Sequence, residues 1–385
     1  MEAGVEEAET LDRRRYVGVD IGGTNLRAGV VDDAGRILGE ARRPALAETG
    51  LRAAVARSIE AISEAIDTAG LSVQDIRAIG AGVPGAHRSE EGICTYSPNF
   101  ADSHGVPVLP PIREAFGLPA FMLNDVAVQT LGEHQCGAGR GYSQMVMITL
   151  GTGIGGGAII EGELRVGPTE GFAEVGHMTI EADGPVCGCG NRGCWEALAG
   201  RDAIIRRAID KMQRGRQTAI AEMVDYRLGS ITPALISRCA EEGDAVAIEV
   251  LAETGHYIGI GIANLIQLYN PQVLVVGGGI AQAGTRLFEP IMHTVRTRAI
   301  MVPAVTCRIV RSQLGDDAGV IGAAMLAIQG MKRMESERPS SAPSEAASSA
   351  LADPPSSAPT DPPSSAPTEP PSSAPTEPPS EGPQI

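Results

Sequence analysis

Tyr16-Val17-Gly18-Val19-Asp20-Ile21-Gly22-Gly23-Thr24-Asn25 and Met145-Val146-Met147-Ile148-Thr149-Leu150-Gly151-Thr152-Gly153-Ile154-Gly155-Gly156 are two versions of one device. Each opens as a short apolar strand, Tyr16 to Asp20 or Met145 to Leu150, and runs into a glycine–threonine turn. Strand sequence then resumes, at Leu26 to Val31 and at Gly157 to Ile160. Neither gap has room for a helix, so each pair predicts a hairpin. Units of the same kind about 130 residues apart point to an internal duplication. Two related α/β halves, each a mixed sheet covered by helices, would set both turns against one ligand in a cleft between them.

The turns suit phosphate. Backbone N–H groups in a tight glycine turn converge on anions, and threonine adds a hydroxyl donor. Gly22, Gly23, Thr24 and Asn25 form one such cradle, and Gly151, Thr152, Gly153 and Gly155 the other. Asp20 closes the first strand and can hold magnesium, through water because that ion keeps much of its hydration shell. Neither segment follows the G-x-x-x-x-G-K-[ST] pattern, and neither opens into a helix as a dinucleotide fingerprint does. Taken singly, either turn also reads as a plain hairpin turn. The pair is harder to dismiss with a third cluster, Gly277-Gly278-Gly279, after the strand Gln272 to Val276. There an adenine or ribose could approach the backbone closely.

Other elements fill in around these. Arg36 to Arg42 reads as a third strand, and Leu51, Val55, Ile59, Ile62, Ile66 and Ala69 follow a helical stripe. Ile76 to Ala81 and Phe121 to Leu123 are strands, and a helix starts at about Val126. Ala245 to Leu268 is a long apolar helix, and Ala318 to Gln329 closes the folded part. The expected organisation is a disordered N-terminus (1–14) and an N-terminal α/β domain (15–123) joined by the C-terminal helix (317–334). A C-terminal α/β domain (124–316) and a disordered Pro/Ser-rich tail (335–385) complete it. In that tail the octad Asp353-Pro354-Pro355-Ser356-Ser357-Ala358-Pro359-Thr360 recurs from Asp361 and Glu369 and begins again at Glu377. It has no large apolar residue to offset ordering entropy, so it reads as solvated chain with polyproline character, against the alternative of a ligand for a proline-binding partner.

A second motif is denser. Cys187-Gly188-Cys189-Gly190-Asn191-Arg192-Gly193-Cys194-Trp195-Glu196 carries three cysteines, with His177 ten residues upstream of the first. Together they supply the four ligands of a tetrahedral structural zinc site, and the glycines let the loop fold tightly around one ion. The bland alternative is a set of buried thiols.

Composition narrows the class. The chain has 385 residues, 43% of them apolar, which is enough for two domains with cores. Apolar runs are broken by glycine or polar residues short of a membrane span, so no transmembrane helix is expected. Met1 to Asp12 is acidic and lacks the features of a signal peptide, which points to the cytoplasm. Four of the seven cysteines (Cys94, Cys136, Cys239, Cys307) are scattered singly, which argues for reduced thiols. The net charge of −16 disfavours nucleic acid as partner. One Trp and five Phe leave few platforms for stacked bases.

From about Tyr16 to Gln329 the chain resembles the ROK family (repressors, open reading frames and sugar kinases), and within it the bacterial ATP-dependent glucokinases. The resemblance rests on Asp20 to Asn25, Gly82-Val83-Pro84-Gly85, Ser97-Pro98-Asn99, Asn124-Asp125, Gly151 to Gly156, Glu174-Val175-Gly176-His177, the cysteine loop and Gly277 to Gly279. It implies an α/β fold of two domains, actin-like and hexokinase-like (ribonuclease H-like), with a central cleft. Asp125 would be the general base on the sugar hydroxyl, and Asn99, Asn124, Glu174, His177 and Glu196 would hydrogen-bond the ring hydroxyls. The two Gly-Thr turns would hold the ATP phosphates, and Gly277 to Gly279 would lie by the adenosine. His177, Cys187, Cys189 and Cys194 would bind zinc, and magnesium would accompany ATP. A homodimer is implied by the resemblance alone. One position departs: many family glucokinases carry Trp four residues after the place of Asn99, and here Ser103 stands there, which alters the expected wall of the sugar pocket.

The chemistry is coherent on its own terms. Phosphoryl transfer needs mainly positioning and charge stabilisation, and a hexose hydroxyl needs one carboxylate to accept its proton. Asp125 follows a strand end, where functional groups of α/β folds gather. Taken alone, Asn124-Asp125 reads as a helix N-cap pair, and Glu174 and His177 read as neighbours on a solvated face. The activity expected is transfer of the γ-phosphoryl group of ATP to the 6-hydroxyl of glucose. The alternatives are a kinase for N-acetylmannosamine or fructose, a polyphosphate-using enzyme, or a sugar-sensing regulator. For the last, some fifteen residues before the first strand leave no room for a helix-turn-helix domain.

Overall fold

The computed structural model describes residues 14–337; of the ends expected to be disordered (1–14 and 335–385), residues 1–13 and 338–385, with the octad repeats, lie outside the described residues, while 335–337 are helical. Strands β1 (Arg15–Ile21), β2 (Asn25–Asp32) and β3 (Ile37–Pro44) form a meander, and helix α1 (Leu51–Thr68) leads to β4 (Ile76–Val83). A small three-stranded sheet follows, β5 (Ala86–Arg88), β6 (Ile93–Tyr96) and β7 (Val106–Pro107), then helix α2 (Leu109–Phe116), β8 (Ala120–Asn124) and helix α3 (Asp125–Cys136). The second meander is β9 (Gln144–Leu150), β10 (Ile154–Ile160) and β11 (Glu163–Arg165). Helices α4 (Trp195–Ala199), α5 (Arg201–Gln213), α6 (Ala219–Met223), α7 (Pro233–Glu241) and α8 (Ala245–Tyr269) precede β12 (Val273–Gly277). Helix α9 (Thr285–Arg298), β13 (Arg308–Arg311) and α10 (Ala318–Glu337) complete the chain.

The duplication is explicit in the sheets. One has the order β3-β2-β1-β4-β8 and the other β11-β10-β9-β12-β13. In both, the first three strands are antiparallel and the last two join in parallel. The strand period sorts the side chains: Val146, Ile148 and Leu150 face the large core under α8, while Met145 and Met147 face the opposite side. In β1, Val17, Val19 and Ile21 face α1, and Gly18 lets the backbone of α10 lie on the other side, where a Cβ would collide with Val320. Helices α3 and α10 also touch backbone to backbone, through Gly132 and Gly322.

Several boundaries move. The expected turn Gly151 to Gly156 ends at Gly153, because Gly155 and Gly156 already pair with Thr149 and Ile148 as part of β10. They are glycines for packing, since a Cβ at either would strike Val126 or Val175. Helix α10 runs past Gln329 to Glu337, its last turns tied by the Arg77–Glu335 and Arg333–Glu337 ion pairs. Helix α8 is long and apolar enough to cross a membrane, yet 56% of its apolar window is buried inside the protein, as befits a core helix.

Candidate active site

The β1–β2 turn closes with Gly22 N–H donating to the Asn25 carbonyl at 3.0 Å. Gly23 and Thr24 N–H keep no partner among the described residues. Asp20 lies at the first turn of α10, so close to Gly319 that a Cβ there would hit its carboxylate. Burial, and then the Asp125 carboxylate, push Asp20 up to about 7, while Arg27 pulls the other way. A carboxylate held among such neighbours favours a cation, so the donor set fits magnesium. Arg27 itself donates to Glu40 (2.8 Å), to Asp317 (2.7 Å) and to the Asp316 carbonyl, and so stitches β2 and β3 to the start of α10. Asp317, just before α10, is thereby committed to Arg27.

Asn124 and Asp125 open α3. The Asn124 side-chain oxygen accepts from Val126 N–H (2.9 Å) and Ala127 N–H (3.4 Å), so the N-cap reading of this residue holds. Its amide nitrogen donates to the Gly85 carbonyl at 3.3 Å, on the glycine turn after β4. Asp125, the first residue of the helix, has its carboxyl raised to about 6 by burial, against the lowering effect of backbone N–H donors, with Glu174 adding to the rise. The structure thus brings Asp20 and Glu174 each within electrostatic reach of Asp125.

The β9–β10 turn is braced differently. Gly151 N–H donates to the Gly153 carbonyl (2.9 Å), and Glu196 accepts the Ile154 N–H (2.9 Å) with a carboxylate that leaves no space for a side chain at Gly153. Thr152 and Gly153 N–H have no partner among the described residues. Arg201, at the start of α5, donates its backbone N–H to the Gly151 carbonyl (3.2 Å) and its guanidinium to the Thr152 hydroxyl (3.5 Å). Glu196 is in turn 3.9 Å from Cys187 Sγ. The ligand atoms of His177, Cys187, Cys189 and Cys194 all lie within 4.8 Å of one another. Cys189 and Cys194 sulfurs are 3.7 Å apart, as are Cys187 Sγ and His177 Nδ1. A tetrahedron with ligands about 2.3 Å from its centre has edges of about 3.8 Å, so the cluster fits zinc.

Asn99 packs on the first turn, its Cβ 3.2 Å from where a Cβ of Gly23 would stand. Ser103 is buried; its hydroxyl accepts from Ser97 N–H (2.9 Å) and donates to the Ser97 carbonyl (2.8 Å). It therefore fastens the Ser97-Pro98-Asn99 turn from behind. Gly277, Gly278 and Gly279 share a cleft of about 690 Å³ with Asp20, Asn25, Arg27 and Gly319. The remaining turn residues, Gly22 to Thr24 and Gly151 to Gly153, stand outside that cavity wall.

Two long-range clamps escaped the sequence. Glu133, fully buried on α3, accepts from the Ser312 hydroxyl (2.5 Å) and from Leu314 (2.8 Å), Gln313 (3.2 Å) and Ala138 (2.8 Å) N–H, so the helix headed by Asp125 is tied to the cleft-lining segment 312–315. Glu170 accepts from Ser89 N–H (3.0 Å) and the Ser89 hydroxyl (2.5 Å), linking the small sheet to the segment that leads to Glu174. The only local signal for either is a lone acid, at an apolar helix face or in a loop.

Comparison with known proteins agrees with this geometry. The ROK family pattern matches residues 16–330. The glucokinase of Thermotoga maritima is 35% identical over 319 residues, covering 82% of this chain and 98% of its own. The crystal structure of a ROK family glucokinase from Streptomyces griseus in complex with glucose and AMPPNP superposes with a TM-score of 0.73 at 34% identity, covering 82% of this chain and 100% of that one. The ROK hexokinase of Thermus thermophilus follows with a TM-score of 0.69 at 31% identity, covering 83% and 99%. The fold is the two-domain, hexokinase-like α/β fold of these enzymes.

Proposed function

The chain belongs to the ROK family, and from that premise we infer its function: it is an ATP-dependent glucokinase, a phosphotransferase that moves the γ-phosphoryl group of ATP to the 6-hydroxyl of glucose. In this reading the protein divides at 15–123 with 317–334 on one side and 124–316 on the other, and substrates meet between them. The observation that carries the mechanism is Asp125, a half-buried carboxyl raised to about 6 at the mouth of α3. A base of that strength is ionised at neutral pH and still takes a proton from a hydroxyl as the O–P bond forms.

The other roles follow from which atoms remain free. Asn124 spends its oxygen on the helix cap and one amide N–H on the Gly85 carbonyl, so its second amide N–H is what it offers a sugar oxygen. Glu196 keeps one oxygen beside the one that holds Ile154. His177 turns Nδ1 toward the sulfurs, which leaves Nε2 for a hydroxyl. Asn99 and Glu174 complete the sugar shell. The free N–H groups of Gly23, Thr24, Thr152 and Gly153, with Gly22, Asn25 and Gly151, receive phosphate oxygens. Gly277 to Gly279 receive the nucleoside. Asp20 would hold magnesium through water, which supplies charge neutralisation on the phosphates. His177, Cys187, Cys189 and Cys194 would hold a structural zinc that fixes the loop. The enzyme acts in the cytoplasm as a homodimer.

The test is a magnesium–ATP assay over a panel of hexoses, read as sugar phosphate. Glucose 6-phosphate should form, and Asp125→Ala should abolish it while the protein stays folded. Product from N-acetylmannosamine or fructose but not from glucose would transfer the assignment to that sugar, and no product with any sugar would overturn it.

A further inference from the structure

We propose that Arg311 is a nucleobase-binding residue, its guanidinium forming a flat shelf, backed by Phe288, on which the adenine of the nucleotide stacks. The proposal deepens the reading of the cleft as the nucleotide site and rests on it. Strands β12 and β13 run in parallel with Val276 opposite Arg311, so Arg311 stands one residue short of the level of Gly277, at the carboxyl ends of the strands. Ligands of open α/β sheets lie outside those ends. Arg311 and Ser312 wall the same cleft as Gly277 to Gly279.

Three further observations specify the ligand. The Arg311 guanidinium carbon lies over the Phe288 ring, 4.5 Å from its centroid, and Phe288 is a half-buried residue of α9 packed on the large core. One face of the guanidinium is thus supported by a fixed ring, and the exposed side chain leaves the other face for a ligand. Arg27, Arg42 and Arg43 of the same cleft are paired with Glu40, Asp317, Glu60 or Glu64, whereas Arg311 has no carboxylate partner among the described residues. A planar, delocalised, weakly hydrated cation stacks well on a purine, which a lysine ammonium cannot imitate. Finally, β13 is the sheet's edge and lies two strands from β9, whose end carries the Gly151 turn. Two strand spacings are about 10 Å. That separation suits the reach of a nucleotide from its terminal phosphate to its base.

Calorimetric binding of ADP and of inorganic tripolyphosphate, and ATP kinetics, should be measured for the full chain and for Arg311→Ala, Arg311→Lys and Phe288→Leu. ADP affinity should fall about tenfold in both Arg311 variants, and less in Phe288→Leu, with tripolyphosphate affinity unchanged. KM for ATP should rise in step while kcat stays within about twofold. Rescue by lysine, or loss of tripolyphosphate binding in parallel, would make Arg311 a phosphate ligand and overturn the proposal. Unchanged ADP affinity in an enzyme that still phosphorylates glucose would sink this inference and leave the function standing. ADP binding that depends on Arg311 in a protein that phosphorylates no sugar would do the reverse. A parent chain that binds no ADP would overturn both.

Discussion

The two hairpins share a topology and differ in what stands at matching places. Asp20 and Thr149 each lie two residues before the first glycine of the turn, and their cross-strand partners are Arg27 and Gly155. The first hairpin is therefore charged where the second is neutral. It is also longer, with four residues (22–25) between the paired Ile21 and Leu26 against three (151–153) between Leu150 and Ile154. The bracing is divided in the same way. The first turn is held by ion pairs to the start of α10, the second by Glu196, Arg201 and a cysteine–histidine loop. On the proposed reading the duplicated scaffold has specialised: one half would supply the Asp20 carboxylate to a cation, and the other a braced frame for the proposed sugar-binding groups.

Removing the proposed base should do the most damage. Asp125→Ala is expected to lower kcat by about a thousandfold or more, with the melting temperature and circular dichroism retained. Because Asp125 must be ionised, kcat/KM for the parent should rise with pH through an apparent pKa near 6. The second largest effect addresses the frame. Metal analysis should find one zinc per chain, and stripping it with a chelator should lower the melting temperature by about 10 °C and raise KM for glucose. ADP binding at the first turn should persist; its loss in parallel would mean that the two braces are not independent.

Asp20→Asn probes the charged half without magnesium. The carboxyl titrates at about 7 in the folded protein against 3.8 ordinarily, so the fold holds the proton more tightly than the unfolded chain does. That preference is present in full below pH 3.8 and disappears as pH rises through 7. The amide keeps it at every pH, so Asp20→Asn should stabilise the metal-free protein at pH 8 by up to about 4 kcal/mol in urea melts and change little at pH 4. Arg27→Met should cost about 2 kcal/mol, less than a fully buried pair, because Glu40 and Asp317 are 40% and 45% exposed. The smallest effect belongs to Ser103→Ala, which deletes two hydrogen bonds behind Asn99 and should cost about 1 kcal/mol, read as a modest rise in KM for glucose and a lower melting point.

What could be read in advance was local. The hairpins announced themselves because apolar alternation and a glycine turn fall within a dozen residues, and the cysteine–histidine cluster because its cysteines crowd one loop. Helix α9 was not legible: Pro290 lies inside it, and its buried face is only Leu287, Ile291, Thr294 and Val295 amid polar sequence. Helix α5 hides in the same way behind arginines, with Ala203, Ile204 and Ala208 as its buried stripe. The clamps, Glu133 with Ser312 and Glu170 with Ser89, are pairings between distant residues, as is Arg27 with Asp317, and no periodicity encodes a partner so far along the chain. Ser103 shows the limit of position matching, since the residue at the expected pocket wall instead fastens a turn from inside.

The central claim is that one nucleotide and one sugar bind between the unequal hairpins with Asp125 as base. The most direct measurement is a crystal structure with glucose and a non-hydrolysable ATP analogue. The account predicts the Asp125 carboxylate about 2.7 Å from the sugar's 6-hydroxyl oxygen, with phosphate oxygens on the free N–H groups of both turns. A closed complex in which that carboxylate reaches no sugar oxygen would contradict it.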